Sequence, residues 1–291
     1  MIHLGLIGFQ VAHSLSPQLH QAALVACGLP GEYHLYPVPP LPAGRSKLDE
    51  LLHFVRDGSI NGLNVTIPHK QNVVDRLDEL TPAARAIGAV NTIYMRDEEL
   101  VGDNTDAPGF LGDLQRQLAA SSLAVTARPG ALILGAGGSA RAVAYALSKS
   151  GWDITVAARR EEQARELVRT IGMHVKSDLP VVGLDGVGLQ KRIISDPGLK
   201  LIVNTTPLGM APHVQGNPWP EHVPFPDGVL VYDLVYNPRE TALVKVARAA
   251  GIPAFSGLGM LVEQAALSFE CWIGLVAPRL EMARAVNHEI R

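Results

Sequence analysis

The sequence predicts an α/β protein of two domains, on three observations. Short apolar runs alternate with helical stretches along almost all of the 291 residues, the order expected of strands and helices that pack in layers. One apolar run, Ala131–Leu134, passes directly into a glycine-rich turn and then a helical segment. Polar residues gather just after other strand-like runs rather than inside them, where the loops of an open sheet carry function.

Leu4–Ile7 reads as the first strand. Ser16 and Pro17 then open a helix, serine as the N-cap and proline in the first helical position, and the helix from Gln18 to Cys27 stops at Gly28. Leu63–Ile67 and Val90–Tyr94 follow as strands, with helices over Ser46–Arg56 and Gln71–Leu80. A helix at Pro108–Leu118 leads into the Ser/Ala-rich stretch Ala119–Pro129, where a domain boundary is expected. Beyond it the strands Ala131–Leu134, Ile154–Ala157, Leu201–Asn204 and Val229–Asp233 alternate with helices at Ala140–Ser150, Glu161–Ile171 and Thr241–Ala250. Asp185–Pro197 shows a poorer helical pattern. The last helices, Met260–Val276 and Met282–Ile290, follow the turn Ser256-Gly257-Leu258-Gly259 and return to the first domain. The expected division is residues 1–118 plus 257–291 as one α/β domain and 119–256 as the other, with an active-site cleft between them.

Composition narrows the function classes. With 25 basic and 28 acidic side chains the formal charge is −3, which gives no electrostatic reason for a nucleic-acid partner. No run of about 18 apolar residues is present, so no membrane-spanning helix is expected, and the first residues lack the basic start of a secretory signal. Cys27 and Cys271 stand far apart; a disulfide-built fold and a four-cysteine zinc site are excluded, and a cytoplasmic location is expected. The ten histidines are scattered without ligand spacing, so no metal is expected. A small-molecule substrate and a monomer or homodimer complete the expectation.

The turn Gly135-Ala136-Gly137-Gly138-Ser139-Ala140 sits between a strand and a helix, with another strand about 20 residues on. Gly135 permits the tight turn, Gly137 lets a pyrophosphate reach the backbone, and Ala140 allows close helix–strand packing. The exposed N–H groups and the positive helix end favour phosphate. The residues therefore point to a Rossmann-type nucleotide-binding domain. At the end of the next strand an NAD site usually carries Asp or Glu for the ribose 2′-hydroxyl. This chain has Arg159 and Arg160 there, bidentate donors suited to a 2′-phosphate and unfavourably placed near a helix N-terminus unless an anion compensates. NADP(H) is the expected cofactor.

The other polar stretches are Ser14-Leu15-Ser16-Pro17, Asn64-Val65-Thr66-Ile67-Pro68-His69-Lys70, Asn91-Thr92 and Gly102-Asp103-Asn104-Thr105-Asp106. Together they supply hydroxyls and amides for a polyhydroxylated substrate, and one Lys/Asp pair for proton transfer. His69, beside the lysine, reads as packing or as a group that supports the lysine, not as the proton donor. Gln264 is polar on a mostly apolar helix and needs a partner.

These stretches, with Gly88-Ala-Val-Asn91-Thr92, Gly135-Ala-Gly-Gly138 and Gly257-Leu-Gly-Met-Leu-Val-Glu-Gln264, resemble in order and spacing the motif series of the shikimate dehydrogenases. The resemblance spans almost the whole chain. It implies reversible NADPH-dependent reduction of 3-dehydroshikimate to shikimate, in aromatic amino-acid biosynthesis. It implies Lys70 and Asp106 as the catalytic pair, and Ser14, Ser16, Thr66, Asn91, Tyr236 and Gln264 as the residues that hold substrate. Gly135, Ala136, Gly137, Gly138, Ser139, Arg159, Arg160, Thr205, Leu234 and Gly257 form the cofactor set. The family commonly places Asn-Arg-Thr where this chain has Ala158, Arg159 and Arg160. Two alternatives stand beside this reading: a quinate/shikimate dehydrogenase with relaxed substrate or NAD use, and a non-catalytic nucleotide-binding relative.

Overall fold

The computed structural model describes residues 1–121, 123, 127–174 and 179–287. Residues 122 and 124–126 of the expected boundary stretch, and 288–290 of the expected last helix, lie outside the described residues. The chain forms two compact units, Met1–Asp106 with Val262–Arg291 and Ala107–Leu261.

The first unit is built on the strands Ile2–Gly8 (β1), Gly31–Pro37 (β2), Gly62–Val65 (β3), Glu79–Leu80 (β4), Thr92–Arg96 (β5) and Glu99–Asp103 (β6), in the order β2-β1-β3-β5-β6-β4. β1 runs parallel to β2 and β3, whereas β5 is antiparallel to both β3 and β6. That mixed topology places four segments at one end of the sheet's strands: the loops that leave β1, β3 and β6 and the segment that enters β5. Ser16–Ala26 (α1), Arg45–Arg56 (α2) and Pro82–Ile87 (α3) connect the strands. Leu48, Leu51, Leu52 and Val55 of α2 recur at helical spacing and are buried with Ile7, Leu63, Val65, Ile93 and Leu100; each such side chain contributes about 1.5–3 kcal/mol on burial.

Two expectations for this unit fail. Ser16 is not the N-cap of α1. Leu15 occupies that position without a side-chain bond, and Ser16 is the first helical residue. Residues 71–80 are not a helix. They form a turn, a short 3-10 segment at Val74–Arg76 and β4. Val73, Val74, Leu77 and Leu80 are spaced as on a helix, but they pack into the sheet core while β4 pairs with β6. Strand pairing overrides the local period.

The second unit begins in Asp106–Ser121 (α4), which crosses from the first unit after its first residue. The rest of α4 belongs here because Phe110 packs edge-on to Tyr232 at 5.2 Å and the Tyr232 hydroxyl donates to Asp113. The strands are Gly130–Leu134 (β7), Asp153–Ala158 (β8), Val181–Gly183 (β9), Leu199–Asn204 (β10), Leu230–Asp233 (β11) and Ala254–Ser256 (β12). All neighbours are parallel, in the order β12-β11-β10-β7-β8-β9. This is the order of dinucleotide-binding sheets, and it reverses between β7 and β10, where such sheets bind ligand. Gly138–Lys149 (α5), Glu161–Gly172 (α6), Gly186–Ser195 (α7) and Ala242–Ala249 (α8) alternate with the strands. Leu258–Ile273 (α9) carries the chain back, and Arg279–Asn287 (α10) packs on α1. No helix among the described residues is long and apolar enough to cross a membrane.

Candidate active site

The loop after β3 is tied to the end of β1 by Thr66 N–H to the Ile7 carbonyl at 2.8 Å. Side chains crowd this junction: a Cβ on Gly8 would collide with Thr66 Cγ2 and Val11 Cγ1, so a larger residue would have to displace them. Four residues on, the Lys70 carbonyl accepts from Val90 N–H at 2.8 Å. The lysine Nζ then donates to Asp106 Oδ2 at 2.5 Å, with the side chains 11% and 6% exposed. Asp106 is the first residue of α4, where unpaired N–H groups and the helix dipole favour a carboxylate. Lys70 and Asp106 therefore meet, 36 residues apart in sequence.

Asn91 fixes the other carboxylate oxygen. Its Nδ2 donates to Asp106 Oδ1 at 3.0 Å and to Gln264 Oε1 at 3.2 Å, while its Oδ1 accepts from Thr105 N–H at 2.7 Å. A backbone donor on one side and a carboxylate on the other permit only one orientation of that amide. Gln264 in turn directs its oxygen to Asn91 and its Nε2 donor elsewhere.

Behind this pair lies a polar cluster. Asn64, Thr92, Thr105 and Ser268 are all buried. Asn64 Nδ2 donates to Ser268 Oγ at 2.9 Å, and Ser268 Oγ lies 2.8 Å from Thr92 Oγ1 and 3.0 Å from Thr105 Oγ1. The Tyr33 hydroxyl closes the chain onto Asn64 Oδ1 at 2.9 Å. The sequence groups Asn64, Thr92 and Thr105 among suppliers of substrate contacts, but they are committed to one another. Ser268 carries no local signal for this cluster: its hydroxyl also donates to the Gln264 carbonyl at 2.9 Å, an ordinary bond within the helix, and its side-chain partners are 163 to 204 residues away.

Ser14 Oγ accepts from Ser16 N–H at 3.2 Å and lies 3.2 Å from Ser16 Oγ. The two hydroxyls come together through Ser14, not through an N-cap at Ser16. His69 is fully buried, with Nε2 donating to the Val38 carbonyl at 2.9 Å; it is a packing residue. His20 is also fully buried, stacked 4.5 Å from the Tyr33 ring, and burial pushes it down to about 3. Among the described residues one group brings three metal-type donors together, His3, Glu32 and His34, within 4.8 Å on the β1–β2 edge. Parallel register, which pairs His3 with Glu32, makes this cluster invisible to sequence spacing.

In the second unit Gly135 has φ of +111° and its N–H donates to the Ala157 carbonyl at 2.8 Å. A Cβ there would lie 2.6 Å from Thr205 Oγ1, so the turn after β7 and the loop after β10 touch at the point where the strand order reverses. At Gly137, the residue before α5, a Cβ would meet nothing within 4 Å. Backbone donors at a helix N-terminus with open space above them fit a pyrophosphate. Ala136, Gly138 and Ser139 are half-buried beside it, and Ala140 is buried. Arg159 and Arg160 are exposed between β8 and α6, where Glu161 and Glu162 follow. Leu234 and Gly257 lie together, since a Cβ on Gly257 would collide with the Leu234 carbonyl oxygen. Tyr236 is half-buried two residues on from Leu234.

Comparison with known proteins decides the lineage. Residues 6–93 match the shikimate dehydrogenase substrate binding domain, and 257–286 the shikimate 5'-dehydrogenase C-terminal domain. The NADP(+) shikimate dehydrogenase of Methanopyrus kandleri is 39% identical over 292 residues, covering 99% of this chain and 95% of the relative. The chain belongs to the shikimate dehydrogenase family. Among solved structures, the Thermus thermophilus shikimate 5-dehydrogenase in complex with NADP(H) and shikimate is 36% identical, with a TM-score of 0.82 and 99% of each chain covered. The quinate dehydrogenase of Corynebacterium glutamicum in complex with NAD is 32% identical, with a TM-score of 0.85 and 99% of each chain covered. The first matched segment contains Ser14, Ser16, Thr66, Lys70 and Asn91, and the second contains Gln264.

Proposed function

We propose that this protein catalyses the reversible NADPH-dependent reduction of 3-dehydroshikimate to shikimate, a step of aromatic amino-acid biosynthesis. The carrying observation is the Lys70–Asp106 pair, nearly buried and held at its second carboxylate oxygen by Asn91. The residues of the second unit fit a dinucleotide: an open backbone at Gly137, a helix N-terminus, and two exposed arginines at the end of β8. Gly135–Ser139, Thr205, Leu234 and Gly257 would hold the body of NADP(H), and Arg159 with Arg160 its 2′-phosphate. NADPH supplies the hydride.

The chain's part is to receive the charge that develops on the substrate oxygen. Lys70 donates there, and the contact strengthens as the carbonyl becomes an alkoxide. Asp106 holds the ammonium in place and accepts from a neighbouring substrate hydroxyl. Ser14, Ser16, Thr66, Asn91, Tyr236 and Gln264 are assigned to holding the substrate. We assign substrate binding to residues of the first unit together with Tyr236 of the second, and nucleotide binding to the second unit. A cytoplasmic location accords with the free thiols of Cys27 and Cys271, and the oligomer is taken as monomer or homodimer.

Quinate oxidation with NAD is the second reading, favoured by the likeness to the Corynebacterium glutamicum enzyme. Steady-state assays with shikimate and quinate, each with NADP and NAD, separate the two. The proposal expects the highest kcat/KM with shikimate and NADP; a preference for quinate and NAD overturns it.

A further inference from the structure

Three loops of the second unit meet on one buried side chain. Asp233, the last residue of β11, is fully buried. Its Oδ1 accepts from Asn204 Nδ2 at 2.8 Å and from Val235 N–H at 3.0 Å, and its Oδ2 accepts from the Thr241 hydroxyl at 2.6 Å. All three partners are neutral, and burial pushes the carboxyl up to about 6 against their hydrogen bonds. A carboxyl group in such surroundings carries a desolvation penalty, so packing alone does not account for it.

Its partners each govern a loop. Asn204 ends β10, and its Oδ1 accepts from Thr206 N–H at 2.9 Å and from the Thr206 hydroxyl at 2.7 Å, which shapes the loop that starts at Thr205. Val235 belongs to the loop after β11. Thr241 is the N-cap of α8, its hydroxyl oxygen accepting from Val244 N–H at 3.2 Å. Backbone bonds join the same loops, Leu234 N–H to the Asn204 carbonyl at 2.9 Å and Ala211 N–H to the Asn237 carbonyl at 3.0 Å. These loops carry Thr205, Leu234 and Tyr236.

We propose that Asp233 is a positioning residue: it sets Thr205 and Leu234 in the geometry that nucleotide binding requires, without touching a ligand itself. The inference rests on the assignment of NADP binding to this unit made above. Because the ties are hydrogen bonds to neutral groups, Asp233→Asn keeps an oxygen for Asn204 and Val235 and offers an amide to the Thr241 oxygen. Asp233→Ala loses all three ties.

The test is NADP affinity by fluorescence titration of the protein without substrate. It is run on wild type, Asp233→Ala, Asp233→Asn and Thr241→Val, with KM for NADP, KM for shikimate and the thermal midpoint of each. Asp233→Ala should weaken NADP binding about tenfold or more, since displacement of contact residues by about 1 Å costs on that order. Asp233→Asn should stay within about threefold, and Thr241→Val should fall between them. KM for NADP should rise more than KM for shikimate. If Asp233→Ala does not fold, Thr241→Val decides the matter by the same readout. NADP affinity unchanged in the folded variants, with only the thermal midpoint lowered, overturns the proposal. A wild-type protein that binds no NADP overturns instead the assignment on which it rests.

Discussion

The two units contain the same clasp with different third partners. In the first, Asn91 accepts a backbone N–H from Thr105 and donates to Asp106; in the second, Asn204 accepts a backbone N–H from Thr206 and donates to Asp233. Each asparagine is thereby held in one orientation, and each carboxylate is aimed by it. The difference lies in what the carboxylate faces. Asp106 faces the Lys70 ammonium, whereas Asp233 faces the Thr241 hydroxyl. A cation beside a fixed carboxylate is a donor that can follow charge on a substrate. A hydroxyl in that place makes a brace. On the assignments proposed above, one local device serves chemistry in one unit and architecture in the other, according to a single neighbour.

The largest effect expected from this contrast is a pH dependence of opposite sign in the two units. Burial holds His20, in the first unit, at about 3 against 6.5 for a free imidazole. Between these values the unfolded chain binds a proton that the folded chain refuses, so stability is lost as pH falls from 6.5 toward 3. The full shift corresponds to up to about 5 kcal/mol. Asp233, in the second unit, is raised from 3.8 to about 6. There the folded chain binds the extra proton, so about 3 kcal/mol of relative stability, present below 3.8, is lost as pH rises through 6. Hydrogen exchange at pH 4 and pH 6.5 should show β1 and β2 opening more readily at the lower pH and β10 and β11 at the higher. His20→Leu should remove the first slope and leave the second. Parallel slopes in the two units would break the contrast.

Next in size is the catalytic arm. Lys70→Met leaves Asp106 with a carboxylate and no cation, the condition in which Asp233 stands. If Lys70 donates to the developing oxyanion, kcat should fall about 10²- to 10³-fold, with substrate affinity changed much less. Asp106→Asn should harm both, because it removes the lysine's partner and a hydroxyl acceptor together. The double variant should be little worse than Lys70→Met, as expected of groups that act as a unit. His69→Ala is the control: its ring is turned to the Val38 carbonyl, so kcat should survive. Loss of kcat in His69→Ala with near-normal turnover in Lys70→Met would reassign the proton.

How much of this was legible in the sequence depends on the distance over which each feature is written. The glycine-rich turn is local: strand, Gly135-Ala-Gly-Gly138 and helix are contiguous, and the structure places each as the pattern implies. The Lys70–Asp106 pair was legible as a lysine and a carboxylate on two polar strand-end loops and through the family resemblance, whereas their contact depends on the mixed topology of the first sheet, which brings them together. The cluster at Ser268 was not legible, because hydroxyls 163 and 176 residues apart share no period. At residues 71–80 the period itself misled, since Leu77 and Leu80 fill a helical face in sequence and a sheet edge in space. Asp233 read as the end of a strand. Its role depends on burial and on Asn204 and Thr241, 29 and 8 residues away.

The smallest effect concerns the cofactor's outer end, and it sharpens the contrast by leaving both clasps untouched. Arg159 is exposed after β8, and no acidic side chain stands at that strand end before Glu161. Under the proposed assignment a guanidinium there meets the 2′-phosphate of NADP and has no comparable partner in NAD. Losing one charge-assisted contact of about 1.5–3 kcal/mol predicts a roughly 10- to 150-fold rise in KM for NADP on Arg159→Ala. KM for NAD should change little, and kcat with saturating NADP should hold, because neither Lys70 nor Asp106 is disturbed. The variant is therefore the converse of Lys70→Met, losing binding without chemistry. An equal rise in KM for both nucleotides would mean that Arg159 shapes the loop instead of reading the phosphate. A wild type that already prefers NAD would remove the basis of the assignment altogether.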